Sequence, residues 1–141
     1  MKKLTGRLVL LGVVAGVACA LLAWPRINDV ETGKTPEYPD LQPREYRASL
    51  DRVTKGAKAV LDRLSGWKLV GEGKGAVGVQ LQALCTHRLL RLEHDVSIRI
   101  RSEGGRTRVS VRSKSLFGSL DLGQNARNIR EFLDALDAEL G

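Results

Sequence analysis

Cysteine, histidine and aromatic residues are all scarce in this chain of 141 residues, and each shortage removes a class of function. There are two cysteines, Cys19 and Cys85. Cys19 lies in an apolar run, and Cys85 keeps phase with Val77, Val79, Leu81 and Ala83. No disulfide is expected, and Cys85 reads as a small buried apolar side chain. The six aromatic residues do not alternate with basic strand positions. The stacking platform of a single-strand binder is therefore missing, and no nucleic acid partner is expected despite a net charge of +7. Cys85, His87, Glu93, His94 and Asp95 follow no standard metal-ligand spacing, so no metal is called for. No Ser-His-Asp or Cys-His arrangement can be placed either. The glycine run Gly71-Glu72-Gly73-Lys74-Gly75 lacks the Gly-Lys-Ser/Thr ending of a phosphate loop and joins two strands instead of opening a helix, so no cofactor is called for.

What the chain does have begins at its N-terminus. Leu8 to Trp24 is a run of 17 residues without a charge, behind Lys2, Lys3 and Arg7. The order is that of a membrane anchor or an export signal, and residues 1–25 are expected to form an N-terminal transmembrane segment. The cation bias places the N-terminus in the cytoplasm and the rest outside, as a single-pass protein of the bacterial inner membrane. A periplasmic or secreted product stays open, since Ala18-Cys19-Ala20 has the small-x-small form of a cleavage site. A lipoprotein at Cys19 is disfavoured by Gly16, where a large aliphatic residue is wanted. Gly12, Gly16 and Ala20 form a small-residue stripe on which two such helices could meet weakly.

Residues 26–42, with Pro36, Pro39 and Gly33 and no apolar period, read as an extended tether, along the domain surface or away from the membrane. Residues 43–141 read as one domain. Pro43 suits a first helical turn, and Tyr46, Leu50, Val53, Ala57, Val60, Leu61 and Leu64 make a one-sided helix that Gly66 stops. Two strands surround the glycine run. A final helix is expected from Asp121, with Gln124 completing a capping box and Ala126, Ile129, Leu133, Leu136 and Leu140 as its buried stripe.

Between these lies the most informative stretch, Asp95 to Ser113. Val96, Ile98 and Ile100 alternate with Ser97, Arg99 and Arg101. Val109 and Val111 alternate with Arg108, Ser110 and Arg112, on the far side of Gly104-Gly105. This is a β-hairpin with one aliphatic and one guanidinium face. Pairing at the glycines sets Arg101 opposite Arg108, Arg99 opposite Ser110 and Ser97 opposite Arg112. The expected fold is α+β: a two-layer sandwich, a four-stranded antiparallel sheet covered by two helices and preceded by an N-terminal membrane segment. The acidic last helix then lies across the core from the arginines, and their neutralisation within the chain is not expected.

Asn28-Asp29-Val30, Gly66-Trp67, Asp95 to Ile100, Val111-Arg112-Ser113, Ser115, Gly118, Asp121-Leu122-Gly123, Asn125-Ala126 and Ile129-Arg130 together resemble a bacterial family known as domain of unknown function 1499. The likeness runs from about Ile27 to Leu136. His94, Leu92 and Leu116 depart from its usual residues. The resemblance implies the fold and an envelope address, and it brings no activity, cofactor or catalytic residue.

The candidate binding residues are Arg99, Arg101, Arg108 and Arg112, for an anionic partner such as lipid headgroups, a glycan or an acidic protein. A flexible tether of 17 residues would reach on the order of 20–25 Å and leave this face free to meet a membrane. Asp95, Ser113, Ser115, Asp121 and Asn125 form a second polar set. Their ordinary reading is capping and loop bonding, against an anion site where strand four exits at the last helix. Two function classes follow. One is a non-enzymatic envelope binding module that uses the basic face. The other is a small-molecule pocket protein or undocumented enzyme at the start of the last helix.

Overall fold

A computed structural model describes residues 2–23, 27–89, 91–118 and 122–141. In chain order its elements are α1 (Lys2–Ala23), β1 (Asp29–Glu31), β2 (Arg44–Tyr46), α2 (Leu50–Arg63), β3 (Trp67–Lys74), β4 (Gly78–Thr86), β5 (Glu93–Glu103), β6 (Arg106–Ser115) and α3 (Gln124–Leu140). The strands form one six-stranded antiparallel sheet in the order β1-β6-β5-β4-β3, with β2 also paired to β6.

Strands β3 to β6 come from the segments whose alternation predicts them. The β5–β6 register pairs Arg101 with Arg108, Arg99 with Ser110 and Ser97 with Arg112. Both tip glycines take positive φ, 56° at Gly104 and 80° at Gly105, which is the geometry a tight two-residue turn requires. The inward residues Val96, Ile98, Ile100, Val109 and Val111 are buried. Val53, Ala57, Val60 and Leu61 of α2 cover them together with Ala126, Ile129, Phe132, Leu133 and Leu136 of α3.

The two helices that cover the sheet are α2 and α3, but the expectation of four strands and an N-terminal membrane segment is corrected. Two further strands lie end to end on the outer edge of β6, β1 against residues 112–114 and β2 against residues 107–109. Thr32 bridges the gap, donating its N–H to the Val111 carbonyl at 3.0 Å and accepting the Val111 N–H at its hydroxyl at 3.1 Å. Segment 26–42 therefore runs, where it is described, along the domain and buries Val30 and Leu41 in the core. Residues 44–46 are strand, not the opening of α2. That helix starts after Ser49, whose hydroxyl accepts the Arg52 N–H at 3.2 Å.

A third helix, α1, occupies the N-terminal apolar run, yet no helix among the described residues is long and apolar enough to cross a membrane. Within α1 the uncharged stretch, residues 8–23, rises only about 24 Å against a hydrocarbon core of about 30 Å. At α3, the expected cap Asp121 lies outside the described residues. Gly123 is the N-cap, in the left-handed conformation and with no side-chain cap bond.

The turn between α2 and β3 depends on Gly66, at φ 82°, where an added Cβ would stand 2.5 Å from the Thr86 carbonyl oxygen. Trp67 follows and stacks obliquely on Phe132, with ring centroids 6.2 Å apart. Leu133 is 1% exposed and sits where α3 meets the sheet. Leu133→Ala is expected to cost about 2–5 kcal/mol, measured as a lower denaturant midpoint with an unchanged slope.

Candidate functional site

The helix-free side of the sheet carries the guanidinium groups. Arg99 and Arg101 on β5 and Arg108 and Arg112 on β6 project there because each alternates with a buried aliphatic neighbour. Contrary to expectation, acids of the same chain meet three of the four. Arg112 grips Asp29 with two hydrogen bonds, one of them Nε to Oδ1 at 2.8 Å. Arg99 lies 3.6 Å from Glu31, and Arg108 lies 3.7 Å from Glu45, which also meets Arg106 at 3.5 Å. These acids come from β1 and β2, which the sequence reading leaves out of the sheet. The acids of α3 face elsewhere: Asp137 takes Arg44 and the Tyr46 hydroxyl, and Glu139 takes Arg63. The fourth, Arg101, is exposed and makes no ion pair among the described residues.

Two recesses flank Arg99 and Arg101. One, of about 380 Å³, has Lys34, Arg99, Arg101 and Arg108 against Glu31 and Glu103 in its lining, four cations to two acids. The other, of about 300 Å³, is floored by Gly73, Gly75 and Gly78 with Gln80 beside them. Gly78 has to be glycine, since a Cβ there would lie 2.5 Å from the Ile100 carbonyl oxygen.

The second polar set does not form one cluster. Asp95 is on the outward face, where Gln82 donates to it and Ser97 donates to Gln82. Ser113, Ser115 and Asn125 are buried together beneath α3. Asn125 Oδ1 accepts from the Ser113 hydroxyl at 2.7 Å, and its Nδ2 donates to Ser115 at 2.9 Å. His94 Nδ1 is 3.0 Å from Asn125 Oδ1. Asn128 extends the network, donating to Ser113 at 3.3 Å, while its Oδ1 lies 3.2 Å from His87 Nε2. Gln124 donates to Asn128 at 2.9 Å and also contacts His87. Asp121 falls outside the described residues.

His87, His94 and Asn128 are the members that the sequence reading leaves out of this set, while Gln124 is read there as half of a capping box. Their signal was phase: His94 keeps step with Val96 and Ile98, and Asn125 and Asn128 are three apart on the buried stripe of α3. Cys85 and His94 face the helices while Asp95 faces away. Among the described residues, no group of three or more His, Cys, Asp or Glu could hold a metal ion.

Electrostatics separates the two sides. The Arg112 hydrogen bonds hold the Asp29 carboxyl below its ordinary range, against a smaller opposing effect of burial. A depressed acid stabilises the fold above its unfolded pKa, near 3.9, and that contribution is lost as pH falls through the lower folded value. Asp29→Asn should cost roughly 0.2–1 kcal/mol at pH 7. Denaturant midpoints of the two proteins should converge as the pH is brought well below that of an ordinary carboxylate. Burial, aided by the Glu131 charge, pushes the Cys85 thiol up to about 12. It is protonated at neutral pH and inert by this argument. Titration with a thiol reagent should label Cys19 alone in the native protein and both cysteines after unfolding.

No curated protein matches this chain. Solved structures similar to it include the crystal structure of TTHA0849 from Thermus thermophilus, at 12% identity and a TM-score of 0.38, covering 79% of this chain and 96% of that one. The sequence profile of the family described as "Protein of unknown function (DUF1499)" matches residues 22–136. That match takes in the whole sheet, α2 and most of α3, and the chain belongs to this family.

Proposed function

We propose that the outward sheet face binds an anionic partner and that the chain is a binding module rather than an enzyme. The observation that carries this reading is Arg101. It stands between two recesses with no acid paired to it among the described residues, while its three neighbours on the same face are matched. A guanidinium offers five donors in a planar fork, and one left without a carboxylate is ready for an external one, or for a phosphate or sulfate. The lining excess of cations raises the local anion concentration without a deep pocket. The rival location at the start of α3 has little to offer a ligand. Ser113, Ser115 and Asn125 are buried and already bonded to one another.

Binding of dextran sulfate, followed by fluorescence anisotropy, tests the reading. Affinity should fall steeply as salt rises from about 50 to 300 mM, because exposed charges are screened beyond roughly 10 Å at 0.1 M. Arg101→Ser should weaken binding about two- to fivefold, the effect of one exposed ion pair. Arg99→Ser with Arg108→Ser should weaken it further, since two lining cations are lost while Glu31 and Glu45 keep only Lys34 and Arg106 as partners. Equal binding by Arg101→Ser, or no binding by the unmodified chain, would remove the proposal.

A further inference from the structure

The end of the sheet opposite the hairpin tip presents a different chemistry. Leu89, in the β4–β5 loop, is 94% exposed, and Phe117, just after β6, is 75% exposed with Leu116 beside it. Backbone bonds hold these loops in place. Leu116 N–H donates to the Glu93 carbonyl at 3.1 Å, His87 N–H to Leu92 at 3.1 Å and Arg91 N–H to His87 at 2.8 Å. Arg88 and Arg91 flank Leu89, both exposed and neither in an ion pair among the described residues. Among the described residues the exposed acid at this end is Glu93. The N-terminal chain also arrives here. The Asn28 carbonyl accepts the Ser115 N–H at 2.8 Å and its side-chain amide donates to Gly118.

Large apolar side chains standing in water beside unpaired guanidinium groups suit a lipid interface. The apolar tips enter the boundary between headgroups and acyl chains, and the cations stay at the phosphates. We propose that this end of the domain docks peripherally on an anionic phospholipid surface, with Leu89 and Phe117 inserted and Arg88 and Arg91 at the headgroups. The site is separate from the arginine recess. Arg101 lies eight residues along β5 from Glu93, about 27 Å at strand rise. Arginine-face variants therefore leave this docking unchanged, and the two proposals fail independently.

The test is amide exchange of the full chain with and without vesicles of phosphatidylglycerol and phosphatidylethanolamine. Exchange at Leu89 and Phe117 should slow about fivefold or more on these vesicles, while Gly104 and Gly105 at the opposite end keep their free rates. Leu89→Ser with Phe117→Ser alters only exposed side chains and should abolish the slowing. Arg88→Ser with Arg91→Ser should reduce it, as should phosphatidylcholine vesicles. Unchanged exchange at Leu89 and Phe117 on anionic vesicles would overturn the proposal. So would slowing that arises without vesicles and grows with protein concentration, which would mean that a second copy covers this end.

Discussion

Arg101 faces Arg108 across the β5–β6 hairpin, with Arg99 and Arg112 on the same side, and like charges so close in a sheet repel. The chain meets this with acids from a distant part of its sequence. Asp29, Glu31 and Glu45 reach the outward face because β1 and β2 lie along the edge of β6. Each exposed pair contributes only about 0.2–1 kcal/mol. The segment that brings the charges also occupies the hydrogen-bonding groups of an edge strand and buries Val30 and Leu41. An uncovered edge of this length would be a template for pairing with another chain. One segment therefore settles both the charge and the edge.

On the other face the constraint is burial. Most of the space between sheet and helices is aliphatic, but beneath the start of α3 it is polar. His94, Ser113, Ser115, Asn125 and Asn128 are buried there and joined by hydrogen bonds. Leaving any one group unsatisfied in such a place costs roughly 1–3 kcal/mol, so the network specifies how α3 seats on the sheet. It also occupies the groups that would otherwise greet a ligand at that helix terminus. The two ends of the sheet differ in their surface chemistry. The cationic recesses lie toward the hairpin tip, and the exposed Leu89 and Phe117 lie at the far end with the incoming N-terminal chain.

Much of this was legible before any coordinates. Period-two alternation placed β5 and β6, their register and the side on which the arginines stand. The helical stripe placed Val53, Val60, Ile129, Leu133 and Leu136 in the core. The short strands were not legible. Asp29-Val30-Glu31 and Arg44-Glu45-Tyr46 are too brief to show a period, and they are strands because the edge of β6 holds them. The same edge shortens α2, since Pro43 and Tyr46 look like helix until the sheet claims residues 44–46. The N-terminal run misled in the opposite way. Its composition is that of a membrane span, but no helix among the described residues is long and apolar enough to cross a membrane.

The sequence by itself determined which faces are apolar, because that depends only on the alternation of side chains along a strand or helix. It also determined the hairpin and its turn, since Gly104 and Gly105 admit the positive φ that the turn needs. Only the tertiary structure decided which arginine is left without an acid among the described residues. Ion pairing on this face joins residues up to 83 positions apart, and no local pattern encodes which edge a three-residue strand will join. The same holds for the buried network, where Asn125 and Ser113 become partners only once α3 has packed on the sheet.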